Sequence, residues 1–435
     1  MARLSDRVWR PLWVLAALFA GSNGQLSAGP LDLGTEVCAW SSRGPLFPLH
    51  NSSCPLPIDD DEVEDGASWA PWSYPPTCVE FQARNRPAGR SNDAVKYCVF
   101  TSVPFRGGHG ISLITTPELA SSLSVGLDDS VVPPAIRDHP ASYLSPLADE
   151  ALFEVKELPN RGLGSVAKHR IRQWDTILVG FPAILAQMDF MDVLSPEQIR
   201  DVLAPAIGQL PEEQREEILS LARSTGGGII QDILQTNIFG VEIEGVMHMA
   251  LIPEASRTNH GCRPNAFWRF NEHTLAMEMI AFRDINRGEE ITFSYTPLGL
   301  TYEGRKNVLG DWGFECKCPL CTSSRKEVKL SDERRDRIHD IHGILAQEEG
   351  ISGKKVANLA DELMKLLDQE SLWPQLVVYY EVIARAYMEA RDLEKATKYA
   401  DMCEKEWIKY GGREHENVDG VQQLWRDLEM ARLAE

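Results

Sequence analysis

The sequence predicts an α+β protein with a β-rich core, a helical insert within that core and an α-helical C-terminal domain. Between residues 152 and 295, short β-type runs alternate with turns, which is typical of strands in a β-rich fold. Within this region, Ser195 followed by Pro196 gives the start signal of a helix. After Cys321, apolar residues recur at three- and four-residue spacing, which indicates amphipathic helices. With 435 residues, of which 43% are hydrophobic, the chain is long enough for roughly two or three domains.

Residues 1–24 have the pattern of a secretory signal peptide, separate from the fold. Arg3, Arg7 and Arg10 precede an apolar run from Leu12 to Ala20, and small residues follow that run. The run is shorter than the about 20 apolar residues that a membrane span needs, and no later stretch reaches that length. We therefore expect no transmembrane span. An N-terminal amphipathic or anchoring segment is the alternative.

Residues 25–150 are predicted to form a loop-rich N-terminal region. They are rich in proline and turn residues and contain short strand-like pieces such as Tyr97–Val103. An even set of cysteines in a secreted region predicts disulfides, here two of them, with three possible connectivities. Free thiols are the alternative if the chain stays in the cytosol. The four cysteines are Cys38, Cys54, Cys78 and Cys98.

Turn-bounded β-type runs and helix signals alternate in the core that follows. A helix is expected to begin at Pro196, where Ser195 caps it. A second helix is expected over Pro211–Ala222, before three consecutive glycines at residues 226–228. Together these helices form an insert in the β-rich core. The β-type runs are Leu152–Lys156, Thr176–Phe181 and Ile291–Tyr295.

Residues 330–435 are predicted to form a helical C-terminal domain. The spacing of Tyr380, Tyr387 and Tyr399 is similar to a tetratricopeptide helix pair, although no clean repeat of about 34 residues is present. A plain helical bundle is the alternative. In either form, this domain offers a surface for packing or for a protein partner rather than chemistry. The predicted helices are Asp332–Glu349, Val356–Glu370, Gln375–Ala390, Leu393–Tyr410 and Val421–Leu433.

The charge balance excludes one class of partner. The chain has 44 Lys and Arg residues against 64 Asp and Glu residues, which gives a formal net charge of −20. A protein that binds the nucleic-acid backbone needs clustered positive charge to displace counterions. We therefore expect no direct binding to nucleic acid, and a basic partner or substrate suits this chain better.

Three motifs in a fixed order concentrate the chemistry of the core. The first is Gly162-Leu163-Gly164, where glycines let the backbone come close to a ligand. The second is the polar segment Arg257–Asn265, in which Asn259 and His260 offer hydrogen-bond donors and acceptors. The third is Gly288–Tyr295, a turn that enters a strand ending on a tyrosine. In this order, the three motifs resemble the SET-domain lysine methyltransferases.

A cysteine cluster extends the resemblance. Cys316, Cys318 and Cys321 place three thiols within six residues, and tetrahedral zinc needs one further donor. The segment is similar to the post-SET segment of that family, in which the fourth thiolate comes from the Asn-His-x-Cys segment. The resemblance therefore implies that Cys262 completes a zinc site. A reduced or disulfide-bonded cysteine cluster is the alternative.

The resemblance covers residues 151–325, the expected SET domain with its post-SET segment. Proteins similar to this chain include the SET and MYND class and the fungal proteins related to it, which also carry a helical C-terminal domain. The insert between Leu185 and Gln235 has no cysteine, so it cannot hold a MYND zinc finger. Any ligand-binding role of that finger does not transfer to this chain.

The resemblance also implies a cofactor, S-adenosylmethionine, and roles for particular residues. Gly162, Leu163 and Gly164 would lie against the cofactor, the segment of Asn259 and His260 would hold its polar end, and Phe314 would stack on its adenine. Tyr295 would line the lysine channel and orient the amine, with Trp312 a weaker candidate for the channel wall. The implied activity is transfer of a methyl group to a lysine amine of a protein substrate.

Two other functions remain open at this point. A SET module without catalysis could act, with the helical domain, as a binding scaffold. A tailoring methyltransferase could act on a secreted peptide or small molecule, because the N-terminal pattern predicts the secretory pathway or an extracellular location. If the signal is not used, a nuclear or cytoplasmic location follows. The presence of Tyr295, Asn259 and His260 favours an active enzyme.

Overall fold

A computed structural model describes residues 69–81, 95–132, 151–411 and 416–433 of the chain. The predicted signal peptide at residues 1–24, together with Cys38 and Cys54, lies outside the described residues. Within the described ranges, thirteen strands, β1 to β13, form four sheets. In chain order they are Thr77–Phe81, Val95–Ser102, Ile111–Thr115, Phe153–Leu158, Gly162–Ala167, Thr176–Gly180, Ile184–Gln187, Ile238–Ile243, Val246–Leu251, Asn259–His260, Ala266–Asn271, Ala276–Ala281 and Thr292–Phe293.

The largest sheet has six strands in the order β1-β2-β3-β7-β9-β8. Its first three strands come from the region before residue 150, and β3 pairs in parallel with β7. The described part of that region is therefore not a separate loop-rich unit, as the sequence predicts, but half of the main sheet. The physical reason is burial, because every residue of Ile111–Thr115 is buried between its two neighbouring strands. The strand-like piece predicted at Tyr97–Val103 is confirmed as β2.

A disulfide joins the first two strands of this sheet. Cys78 of β1 and Cys98 of β2 lie directly opposite each other in the antiparallel pair and are bonded. This is one of the pairings that the cysteine count leaves open. Cys98 is fully buried in the hydrophobic core, so the disulfide also fills core volume.

Three smaller sheets complete the β-rich core. They are the hairpin β4-β5, the three-stranded sheet β11-β12-β6, and the parallel pair β10-β13. The predicted strands near Leu152 and Thr176 are confirmed. The third predicted strand, Ile291–Tyr295, shortens to Thr292–Phe293, and the Tyr295 backbone N–H donates to His260 Nδ1 at 3.0 Å instead of to a neighbouring strand. The short parallel pair brings Asn259 beside Thr292 and His260 beside Phe293.

The helical insert lies against the outer face of the six-stranded sheet. Its first helix begins at Pro196 as predicted, with Ser195 and Gln198 forming a reciprocal capping box. The helix buries Val202 and Leu203 against sheet residues that include Ile184. The second helix ends at Leu219, three residues before the predicted end at Ala222. With the preceding helix Pro117–Leu123 as α1, the insert helices are α2 Pro196–Gly208, α3 Glu212–Leu219 and α4 Ile229–Asn237.

The C-terminal region is helical, as predicted. A helix that the sequence reading missed, α5 Tyr302–Asp311, precedes the cysteine cluster. All five predicted helices are confirmed, and they share one apolar core. Whether they form tetratricopeptide-like repeats stays a prediction. The five helices are α6 Arg325–Gln347, α7 Gly353–Glu370, α8 Leu376–Glu389, α9 Leu393–Gly411 and α10 Glu416–Leu433.

Aromatic contacts join this helical domain to the β-rich core. The ring centroid of Tyr410, near the end of α9, lies 4.8 Å from that of Phe267 on β11. Trp373 contacts Phe282 at 6.0 Å between ring centroids. Across the described residues, no helix combines the length and apolar character that crossing a bilayer requires.

Candidate active site

A cavity of about 480 Å³ opens between the β-rich core, the insert and the segment before the cysteine cluster. Among the residues that the sequence predicts as site residues, Gly162, Leu163, Asn259, His260, Tyr295, Phe314 and Cys316 line it, and Gly164 does not. The insert supplies a wall that sequence reasoning missed. The lining residues are Asn160–Leu163, Ser220, Ala222, Ser224, Thr236, Asn237, Ser256, Arg257, Asn259, His260, Tyr295, Trp312 and Phe314–Lys317.

The glycine motif forms the start of β5 at the mouth of the cavity. Gly162 has a positive φ of 66°, which allows the tight turn from β4 to β5. The Leu163 side chain is 46% exposed. At Gly164, a Cβ atom would lie 2.5 Å from Leu158 Cδ1 and 2.7 Å from Asn259 Nδ2. Any larger residue at this position would therefore displace the side chains of Leu158 and Asn259.

Asn259 ties the second motif to the first and to Glu290 of the third. Its Nδ2 donates to Glu290 Oε1 at 3.0 Å and to the Leu163 carbonyl at 3.2 Å. Arg161 forms an ion pair with Glu290 at 3.0 Å and donates to the His260 carbonyl at 2.9 Å. Arg161 and Glu290 were not identified as site residues from the sequence. Arg161 directly precedes the first motif and Glu290 lies in the third, and their contact becomes visible only in the fold, which brings these two segments together.

His260 is buried, and both of its ring nitrogens contact the protein. Nδ1 accepts the backbone N–H of Tyr295 at 3.0 Å, which places the proton of the neutral ring on Nε2. Nε2 lies 3.2 Å from Cys262 Sγ. Burial lowers the pKa of His260 to about 4, so the ring is neutral at physiological pH. The predicted contact of this ring with a cofactor stays a prediction, and the structure gives the ring a second role in linking Cys262 to Tyr295.

Tyr295 stands among aromatic rings on the wall of the cavity. Its hydroxyl donates to the Thr258 carbonyl at 2.9 Å. Burial raises the pKa of Tyr295 well above its ordinary value, so the phenol is a neutral hydrogen-bonding group at any physiological pH. The ring centroids of Trp312 and Phe314 lie 5.4 and 6.1 Å from that of Tyr295. Phe314, at 37% exposure, keeps part of its ring free.

The segment before the cysteine cluster is held against the insert. Ser224 Oγ donates to the Trp312 carbonyl at 2.6 Å. Asp232 of α4 shapes this part of the insert by accepting the backbone N–H groups of Ser224 and Thr225 at 3.0 and 2.9 Å. Gly313 follows with a positive φ of 73°. The sequence gives no signal for this contact, because its two sides are about ninety residues apart.

Four cysteines meet beside the cavity, as the resemblance implies. The sulfur atoms of Cys262, Cys316, Cys318 and Cys321 all lie within 4.8 Å of one another. Cys262 Sγ is 3.5 Å from Cys321 Sγ and 3.9 Å from Cys316 Sγ. Zn–S bonds of about 2.3 Å in a tetrahedron separate the sulfurs by about 3.8 Å, so this donor set fits a structural zinc ion.

Part of the chain matches known proteins. Residues 162–296 match the family model described as SET domain. Over 189 residues, the chain is 26% identical to the histone-lysine N-methyltransferase set5 of Schizosaccharomyces pombe, covering 43% of this chain and 56% of that protein. It is 29% identical to the histone-lysine N-methyltransferase ATXR2 of Arabidopsis thaliana over 33% of this chain and 28% of that protein. It is 37% identical to the histone-lysine N-methyltransferase SMYD3 of Homo sapiens over 19% of each. The chain thus spans between about a fifth and just over half the length of these relatives.

Proposed function

We propose that this chain, whose residues 162–296 form a SET domain, is an S-adenosylmethionine-dependent protein-lysine N-methyltransferase. The observation that carries the proposal is the convergence of the three sequence motifs on one cavity, with Tyr295 in its wall. The cavity volume of about 480 Å³ is typical of small-molecule sites. The partly exposed ring of Phe314 and the backbone of Gly162 and Leu163 offer a flat apolar face and close main-chain approach to a nucleoside cofactor.

The residues of the cavity suit attack by a lysine amine. S-adenosylmethionine supplies an electrophilic methyl group on a positively charged sulfur. A free lysine has a pKa of about 10.4, and desolvation together with a nearby positive charge lowers it, so the amine loses its proton without a dedicated base. The Tyr295 hydroxyl donates to the Thr258 carbonyl, and its oxygen retains lone pairs that accept an N–H from the amine. Tyr295 therefore orients the lysine rather than removing its proton.

A zinc ion held by Cys262, Cys316, Cys318 and Cys321 belongs to the same proposal. Cys262 lies within the second motif, while the other three cysteines follow Phe314. A metal bound by all four therefore fixes the segment of Trp312 and Phe314 against the cavity. The zinc ion has a structural role, because four protein ligands leave no open coordination position.

The acceptor is a lysine of a protein substrate, and the net charge of −20 favours a basic one. Several similar proteins are named histone-lysine N-methyltransferases, so histones are the first acceptors to test. The helical domain is the proposed surface for a further protein partner. We also propose that the chain enters the secretory pathway, which the Cys78–Cys98 disulfide supports. Fractionation of cells with N-terminal sequencing of the native protein tests this location, and recovery of the intact N-terminus from nucleus or cytoplasm would overturn it.

The Tyr295→Phe variant tests the enzymatic function. Purified protein is incubated with radiolabelled S-adenosylmethionine and either histones or a proteome-wide panel of acceptors. We expect the wild type to transfer label to lysine. Tyr295→Phe should keep cofactor affinity, measured by calorimetry, and lose turnover by a factor of about 10² to 10³, by analogy with the loss of a transition-state hydrogen bond.

Tyr399→Phe is the matched control, since Tyr399 packs in the helical domain away from the cavity. It should turn over like the wild type. Cofactor binding without any labelled acceptor would favour the scaffold function over the enzyme. Label on a secreted peptide or small molecule alone would favour the tailoring enzyme. Normal turnover by Tyr295→Phe would remove the role assigned to Tyr295.

A further inference from the structure

Arg305 is the largest fully buried side chain among the described residues. It lies on α5, which stands between Tyr295 and Cys316 in the sequence. Nη1 donates to the Leu300 carbonyl at 2.5 Å. Nε and Nη2 are buried and make no hydrogen bond of ordinary geometry. The guanidinium keeps its positive charge in this position. Of its three nitrogens, only Nη1 has an oxygen partner among the described residues.

The groups that face this guanidinium are thiols. Burial lowers the pKa of Arg305, but the thiolates of Cys262 and Cys321 outweigh burial and raise this pKa above its ordinary value. Asp332 adds a smaller contribution of the same sign, and its Oδ1 accepts the Tyr302 backbone N–H. Among the residues described, Arg305 forms no ion pair with a carboxylate. Its charge is therefore directed at the cysteine cluster.

Arg335 is the second buried cation near the cluster, and it forms an ion pair with Glu370. Its Nε bonds Glu370 at 3.0 Å, and its other nitrogens donate to the carbonyls of Cys262 and Leu300. Arg335 thus has a carboxylate partner and also binds the backbone of the cluster, whereas Arg305 has no carboxylate hydrogen-bond partner among the described residues. The two arginines differ in role although they share the Leu300 carbonyl.

We propose that Arg305 is the counter-charge of the zinc–thiolate cluster and raises its affinity for zinc. The inference rests on the zinc site of the proposed function. Four thiolates around one divalent ion leave a net charge of −2, and burying such a charge without compensation is costly. A fixed guanidinium beside two of the sulfurs offsets half of that charge. Groups just outside the ligand shell commonly change metal affinity 10–100-fold.

Arg305→Gln removes the positive charge and keeps a polar side chain with N–H donors at this position. Zinc content of the full-length protein is measured by elemental analysis, and affinity by competition with a chromophoric chelator. We expect Arg305→Gln to bind zinc about 10–100-fold more weakly than the wild type. Arg305→Lys, which keeps the charge, should recover most of this loss.

Arg106→Met is the matched control. Arg106 has 6% of its side chain exposed and donates to the carbonyls of Gly126 and Thr274, without a cysteine nearby. This variant should melt at a lower temperature and yet bind zinc like the wild type. A role of Arg305 in folding alone would instead make the two variants alike in zinc affinity.

Three outcomes overturn the proposal: wild-type zinc affinity in Arg305→Gln, an equal loss in Arg106→Met, or an equal loss in Arg305→Lys. Wild-type protein without zinc would instead remove the metal site itself, so the two failures are distinguishable. If Arg305→Gln cannot be purified, its soluble yield is compared in zinc-supplemented and zinc-restricted medium. Recovery by zinc supports the proposal, and a yield that zinc does not change overturns it.

Discussion

His260 joins the cysteine cluster to the cavity through its two ring nitrogens. One nitrogen accepts the Tyr295 backbone N–H and the other contacts Cys262 Sγ. Since a buried N–H without an acceptor costs about 1–3 kcal/mol, the position of Tyr295 depends on this ring. His260 is therefore a positioning residue for Tyr295, whether or not it also contacts the cofactor.

We predict that His260→Ala lowers the free energy of unfolding by about 1–3 kcal/mol and weakens S-adenosylmethionine binding, because the Tyr295 N–H loses its acceptor. His260→Asn should lose less, since its amide oxygen can take the place of Nδ1. Denaturant unfolding and calorimetry measure the two effects. His169→Ala, at an exposed position, is the control and should change neither. Equal behaviour of His260→Ala and this control would contradict the positioning role.

The sequence predicts the site residues to different degrees. The close spacing of Cys316, Cys318 and Cys321 predicts a metal site, and the place of Tyr295 at the end of a motif predicts a functional role for it. Arg305 gives no such signal, because an arginine in a helical pattern is normally exposed. Gly164 lies in a recognisable motif. The side chains that a Cβ atom at this position would meet, those of Leu158 and Asn259, become visible only in the fold.

At the scale of elements, the cavity depends on the contact between the insert and the segment of Trp312 and Gly313. A Cβ atom on Gly313 would lie 2.1 Å from the Ser224 carbonyl oxygen, so only glycine permits this approach. Its positive φ of 73° adds a conformational requirement for glycine. The contact places Trp312 and Phe314 beside Tyr295.

We predict that Gly313→Ala pushes the two segments apart and raises the dissociation constant for S-adenosylmethionine by about tenfold or more, a change of about 1.4 kcal/mol. The strained φ alone costs about 1–2 kcal/mol of stability. Gly310→Ala on α5 is the control, since nothing lies within 4 Å of its Cβ position. Alanine there should leave binding unchanged and stabilise the helix by about 0.5–1 kcal/mol. Calorimetry and thermal melting test both, and an unchanged dissociation constant in Gly313→Ala would refute the role of this contact.

Elements whose signals are local were predicted, and those that depend on distant partners were not. Ser195, Pro196 and Gln198 are sequence neighbours, so their helix start could be read directly. The strand at Ile111–Thr115 pairs with Ile184–Gln187, which lies about seventy residues later in the sequence. The intervening segment contains α1 and the strands β4 to β6. No local pattern specifies that pairing. The SET-domain resemblance is confirmed by the match of residues 162–296 to the family model. Each of its motifs is local, and their order along the chain adds information about which distant segments come together.

At the scale of the whole molecule, Glu370 fastens the helical domain to the cysteine cluster. This carboxylate, at the end of α7, is fully buried. It accepts hydrogen bonds from four side chains, and one of its partners, Arg335, also donates to the Cys262 carbonyl at 3.1 Å. The two halves of the chain therefore share one buried ionic network. The four partners are Arg263, Arg334, Arg335 and Ser331.

We predict that Glu370→Gln lowers the free energy of unfolding by about 3–5 kcal/mol at neutral pH, because it leaves the buried cation of Arg335 without a carboxylate partner. Burial raises the pKa of Glu370, but Ser331, Arg335, Arg334 and Arg263 outweigh it and hold the pKa below its usual range. A depressed carboxyl pKa stabilises the fold above the unfolded value of about 4.3, and this contribution is lost as the pH falls through the folded pKa. The gap between the wild type and Glu370→Gln should therefore be full at pH 7 and shrink below about pH 4.

Glu362→Gln distinguishes this network from an ordinary surface ion pair. Glu362 bonds Arg337 on the surface of the helical domain, with 42% of its side chain exposed. Exposed pairs contribute about 0–1 kcal/mol, so this variant should unfold almost like the wild type. Denaturant unfolding followed by tryptophan fluorescence measures both variants. If Glu370→Gln cost no more than Glu362→Gln, or if its cost stayed constant down to pH 3, the helical domain would be held to the core by apolar contacts such as Tyr410 on Phe267 rather than by this network.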